Sequence, residues 1–347
     1  MKKLLTFVSA ITAGAIGTAA ADVSVAGSGT FYYSSGSGST AVTENENSMT
    51  VTGGTVTFAM STETTNGITV TAGATISRDT DDVAEYTDGD TLAAGSQGVV
   101  GGMSSLTFGM DGMTVTLGDI NNAGSGTGEG GDVSTFASGH AGVFSGTSAS
   151  DHNDSAMDTI ADGTGINVNT SMGAATIDLT YVMTVASGSN SLATTATTTG
   201  RTGGYALNVG FDMAGASVNV ATGGNNASAA GGKNDSANAL EITYPVSDAL
   251  SLTVGGSAGS ISGADEDNLF ISGAYTMDAD TTLSFGYGKG DNTAGTVTDK
   301  ATATTVNVSR SLGGGVSVFA EYASVSVSNA NVDTSGTAMT LGTSVSF

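Results

Sequence analysis

The chain has 347 residues, with 8 lysines and arginines against 32 aspartates and glutamates, a formal net charge of −24, and no cysteine or tryptophan. The acidic excess excludes nucleic acid as a partner, because phosphate binding needs basic side chains to displace counterions, and it favours cations. Without cysteine there are no disulfides, thiolate metal sites or cysteine nucleophile, so stability must come from another kind of closure.

The N-terminus opens on Met1, Lys2 and Lys3, continues through an apolar and small-residue stretch to Gly17, and reaches Ala19-Ala20-Ala21 before Asp22. This is the pattern of a secretory signal peptide over residues 1–21, which leaves 22–347 as one mature unit. The stretch is too short for a spanning helix, and no later segment offers roughly eighteen consecutive apolar residues. Membrane insertion, if it occurs, must use strands.

Beyond residue 22 the dominant pattern is period-two alternation, which places successive side chains on opposite faces of a strand. It is cleanest from Ala175 to Val185, where Ile177, Leu179, Tyr181 and Met183 alternate with Thr176, Asp178, Thr180 and Thr184, interrupted by Val182. It recurs from Ile68 to Ser77, from Tyr205 to Met213, and through to the C-terminus. Parity slips between Met49/Val51 and Val56/Phe58/Met60, and a bulge at Gly53-Gly54 accounts for the slip.

Read as strands, the runs are 23–33, 47–61, 67–78, 103–110, 113–119, 164–172, 174–186, 203–213, 215–222, 236–245, 248–260, 267–277, 280–289, 301–311, 314–326 and 336–347. Sixteen strands, most near the roughly 9–11 residues that cross a bilayer at a tilt, predict a closed antiparallel transmembrane β-barrel. The connections alternate between tight turns, such as Asp111-Gly112, Gly173 and Ala214-Gly215, and long polar loops, such as 79–102, 187–202 and 223–235. Short turns on one side and long loops on the other match an outer-membrane barrel. Asp-Gly is a strong two-residue hairpin signal, and the single proline, Pro245, sits near a strand end, where it costs no central ladder bond.

The signal peptide, the hairpin Leu106-Thr-Phe-Gly-Met-Asp-Gly-Met-Thr-Val-Thr-Leu-Gly118, the long loop that follows, and a last strand with Met339, Leu341, Val345 and Phe347 on one face together resemble the general bacterial porins. The resemblance implies a trimeric, sixteen-stranded outer-membrane barrel that admits small hydrophilic solutes by passive diffusion. It also implies that the loop over residues 120–163, after the fifth strand, folds inward as a constriction, and that Phe347 signals to the barrel-assembly machinery. Glu129-Gly-Gly-Asp132 resembles the acidic motif of that loop, without its usual proline and aromatic, so Glu129 and Asp132 are the constriction candidates.

If the apolar parity meets lipid, the ionisable residues on the opposite parity are Asp178, Asp212, Glu241 and Glu321, all acidic. Arg78, Lys289 and Arg310 fall on the lipid parity, while Arg201, Lys233 and Lys300 lie in or beside loops. This departs from the porin pattern of a basic cluster facing an acidic loop. It predicts a lumen of one negative sign, selective for cations.

No enzyme signature is present: His140 and His152 both lie in the long loop, without a serine-nucleophile setting or a paired zinc motif. Gly286, Gly288 and Gly290 precede no helix, so no dinucleotide site is expected. No cofactor is expected, and Asp151, Asp154 and Asp158 do not have the spacing of a calcium loop. The competing reading is an acidic, non-channel surface protein, an S-layer subunit or adhesin with or without a calcium dependence, which would share the composition but should show a fixed internal repeat.

Overall fold

A computed structural model describes residues 22–38, 47–64, 67–78, 99–120, 123–128, 155–158, 160–185, 203–226, 234–261, 263–295, 297–328 and 333–347. The first six strands are β1 Asp22–Gly38, β2 Asn47–Glu63, β3 Thr69–Arg78, β4 Val99–Met110, β5 Met113–Ile120 and β6 Gly163–Met172. The next five are β7 Ala175–Val185, β8 Gly204–Met213, β9 Ala216–Asn225, β10 Asp235–Ser247 and β11 Leu250–Ile261. The last five are β12 Ala264–Thr276, β13 Thr281–Ala294, β14 Val297–Gly313, β15 Val316–Ser328 and β16 Asp333–Ser346.

Every strand pairs antiparallel with its sequence neighbours, and β1 also pairs with β16, so the sheet closes into a barrel. Closure leaves no strand edge, so the ladder groups find their partners within the sheet except at bulges. All sixteen runs read from the sequence are strands. They extend further at the loop end than alternation suggests: β13 and β14 continue to a tight hairpin at Gly295 (φ 65°), and Lys300 lies within β14 rather than in a loop.

The expected bulge is present. Ser28 faces Thr55 and Gly29 faces Gly53, so Gly54 is the extra residue and apolar parity resumes in phase beyond it. A second shift sets Ala72 opposite Leu106 but Ala74 opposite Met103. At the short end, Met110 and Met113 flank Asp111-Gly112. Met213 and Ala216 flank Ala214 (φ 53°) and Gly215 (φ 83°), both in the left-handed region that suits a two-residue hairpin.

Alternation separates two faces. One carries the exposed large apolar and aromatic side chains, among them Phe31, Tyr33, Leu179, Tyr181, Tyr205, Leu240, Tyr275, Tyr287, Tyr322 and Leu341. This face meets lipid, and the other lines the lumen. At the closure seam, the backbones of Gly27 and Phe347 exchange hydrogen bonds of 2.9 and 3.0 Å. The Phe347 ring lies over Gly27, where a Cβ would collide with it.

Candidate pore lining and loop seat

The inner wall of β7–β11 is built of small and hydroxylic residues. Val182, Ala206, Ala221, Ala237, Ala239 and Ile261 form one buried cluster with Ala123, Ala156, Met157, Ile160 and Ala161 from the segments next to β5 and β6. Both ends of the connection between β5 and β6 therefore lie against the lumen wall. Alanines suit this seat because a larger side chain would hold the segments away from the sheet.

Wall side chains accept the segments' backbone N–H groups, which packing has removed from water. Ala123 donates to Thr180 Oγ1 (2.9 Å), Ala156 to Ser257 Oγ (2.8 Å) and Ala161 to Asn225 Oδ1 (2.8 Å). Gly128 donates its N–H to the Glu241 carboxylate. Gly128, at φ 75°, comes so close to β10 and β11 that a Cβ would lie 2.9 Å from that of Ala239.

The two segments also bind each other. Ser155 Oγ donates to Thr127 O (2.8 Å), and Gly126 N donates to Asp158 Oδ1 (3.2 Å). Burial pushes the Asp158 carboxyl above its ordinary value, against the opposing effect of hydrogen bonds from Gly126, Ser155 and Ser125.

The four strand acids all lie on the inner face. Asp178 accepts from Asn167 Nδ2, which also donates to Thr180 Oγ1 (2.9 Å). Glu321 is nearly buried and accepts from Asn307 Nδ2 (3.3 Å). Glu241 contacts the loop segment, while Asp212 is exposed toward the short-turn end of β8. The wall thus places Asp178, Asp212 and Glu241 on β7, β8 and β10 of one side and Glu321 on the distant β15.

Strand parity adds four carboxylates that sequence reasoning missed: Asp22, Glu63, Asp235 and Glu266. Each stands one or two residues outside the strand bounds expected from alternation, and the observed strands include all four. Asp235 accepts from Asn225 Nδ2 (3.4 Å), and Glu266 from Asn292 Nδ2 (3.0 Å). Lys289, Lys300 and Arg310 share parity with Tyr287 and Val306 on the outer face, Lys300 paired with Asp291 (2.9 Å) and Arg310 with Asp278 (3.5 Å). Among the described side chains, then, no lysine or arginine faces the lumen.

Glu129, Asp132, His140, Asp151, His152, Asp154, Arg201 and Lys233 lie outside the described residues, as does the segment 1–21. Among the described residues no group of three or more histidines and carboxylates is placed to hold a metal ion.

A family model described as Gram-negative porin matches residues 6–330. The chain belongs to that family. No curated protein sequence matches it, but solved barrels do. The porin is similar in fold to an anion-selective porin from Comamonas acidovorans, with a TM-score of 0.65, 12% identity, and 94% of this chain and 100% of that one covered. It is also similar to outer-membrane expressed OmpT of Vibrio cholerae (TM-score 0.62, 12% identity, 96% and 99% covered). A third is the outer membrane channel DcaP of Acinetobacter baumannii (TM-score 0.62, 11% identity, 94% and 97% covered). Family and fold place the porin in the outer membrane as a channel, which removes the reading of a non-channel surface protein.

Proposed function

We propose that this porin carries small hydrophilic solutes and ions across the outer membrane by passive diffusion and prefers cations. The observation that carries this reading is the sign of the inner face: its described charged side chains are carboxylates, and the described basic ones point outward. A water-filled path between low-dielectric walls of one sign concentrates counterions and repels co-ions. The loop over residues 120–163, seated at both ends on β7–β11, narrows the path, with Glu129 and Asp132 at its acidic rim. Residues 1–21 are the removed signal peptide, Phe347 engages the barrel-assembly machinery, and the barrel functions as a homotrimer in contact with outer-membrane lipid. No catalytic residue or cofactor enters this mechanism.

The test is the reversal potential of the purified protein in a planar bilayer across a salt gradient. The wild type is expected to favour K+ over Cl−, with a preference that fades as the Debye length falls from about 30 Å at 0.01 M to about 3 Å at 1 M. The combined change Asp178→Asn, Asp212→Asn, Glu241→Gln and Glu321→Gln should lower the preference at low salt. Anion preference in the wild type would overturn the assignment of charge to the lumen.

A further inference from the structure

Inward-facing alanines differ in how much water they meet. Nearer the short turns they keep contact with it: Ala26 is exposed, and Ala59 and Ala274 are half-buried. On β14–β16, nearer the loops, Ala301, Ala303, Ala323 and Ala338 also face inward, yet all four are buried, Ala323 to 1% and Ala338 to 2% exposure. A side chain loses its water only to packed neighbours, so this part of the wall is covered.

The rings of Phe270 and Phe319, on the same face, fill the notches at Gly255 and Gly342. Among the described residues, Ala301 and Val327 cluster with Val325 of their own wall, and the segments that enter the lumen pack on β7–β11 instead. The buried wall is nevertheless continuous with the seat of those segments. Ala239, Ser257, Asn268, Gly290, Ala301 and Val327 are partners in succession from β10 to β15, and Ser257 and Asn268 are buried as well.

One stretch of chain has the length and the chemistry to supply the cover. Gly128 and Ala156 flank the middle of the loop between β5 and β6, and both rest against β10–β11. Between them, residues 133–144 include Val133, Phe136, Val143 and Phe144 and no aspartate, glutamate, lysine or arginine. The eight residues from Glu129 to Phe136 span up to about 26–29 Å when extended, whereas β11 and β14 stand three strands apart, about 14 Å along the sheet. Other long connections suit the patch less well. Residues 79–98 carry six carboxylates, which burial penalises, and residues 186–202 have one large apolar side chain, Leu192.

We propose that residues 133–144 dock on the inner face of β13–β16, with Phe136 and Phe144 packed on Ala303, Ala323 and Ala338. A floor of alanine and glycine lets aromatic rings lie close against the sheet without voids. The inference rests on the reading of the lumen as a solute path narrowed by this loop, and it locates the path within the cross-section. The loop follows the wall from β7 round to β16, and solutes pass along β1–β6, where Thr57, Thr71, Thr107 and Thr116 point inward.

The chain has no cysteine, so single introduced thiols report the cover directly. Ala303→Cys, Ala323→Cys and Ala59→Cys are each reacted with a water-soluble maleimide, on full-length protein whose folding is checked by heat-modifiable gel mobility. The thiols at 303 and 323 should react about tenfold more slowly than the one at 59. Adding Phe136→Ser and Phe144→Ser should raise both slow rates several-fold and leave the third unchanged. Two wall positions are used so that either carries the test should the other variant fail to fold. Rates at 303 and 323 equal to that at 59 would show an open wall and overturn the docking. Protection that survives Phe136→Ser and Phe144→Ser would give the cover to another connection and overturn it too. None of these rates depends on ion preference, so a wild type that does not favour K+ overturns the selectivity and leaves the docking standing.

Discussion

Val182 is the position where β7 breaks its own alternation, an apolar residue where the pattern calls for a polar one. In the structure it faces the lumen, is 0% exposed, and packs in the cluster with Met157 and Ile160. A parity exception thus marks the point where the lumen wall is covered rather than wet. Val182→Thr restores the alternation yet buries a hydroxyl against apolar neighbours, at a cost of about 1–3 kcal/mol. Limited proteolysis within residues 120–163 should become faster; equal resistance would show that the cluster does not hold the loop. The same scale separates what the sequence reveals of the site from what it hides. Parity is a property of neighbouring residues, so it groups Asp178, Asp212, Glu241 and Glu321 on the strand face opposite the exposed apolar side chains. Hydrogen bonding to Gly128, more than a hundred positions away in the chain, is not, so nothing local distinguished Glu241 from the other three.

At the level of elements, strand existence was legible because a barrel wall imposes one period over its whole height, and even the slip at Gly54 announced itself as a change of phase. Strand ends were not. Beyond the lipid band both faces are wet, alternation no longer has a cause, and the ladder continues through Gly, Ser, Thr and Asn in β1, β13 and β14. That loss of signal is why Asp235 and Glu266 escaped notice. Turns follow their own rules, and the β8–β9 turn does so imperfectly: Ala214 holds φ 53°, a conformation that costs a residue with a Cβ roughly 1–2 kcal/mol. Asparagine tolerates this region better. Ala214→Asn should therefore stabilise the barrel by about 0.5–1 kcal/mol, read as a higher thermal unfolding midpoint in detergent. A lower midpoint would sink the argument from turn geometry.

For the whole molecule, the deciding structure is the seam between β1 and β16. Its register runs from Ser28 opposite Ser346 to Gly38 opposite Gly336, and the Phe347 ring is laid over Gly27. Gly27→Val would lift that ring and strain the first pair of the seam. The fraction of heat-modifiable, folded protein recovered from membranes should fall several-fold, on the scale of the roughly 1–3 kcal/mol that overpacking costs. Recovery equal to wild type would mean that the ring and the glycine are independent.

The seam also sets a timetable. Its two halves stand about three hundred positions apart, so the partner that completes the first strand is made after the fourteen strands between them, and no intermediate length of chain is a smaller version of the finished barrel. Until then each unfinished sheet has two open flanks able to recruit any extended peptide nearby. Closure waits on the meeting of β1 with β16, which makes the interval before that meeting, more than the final stability, the stage most exposed to failure.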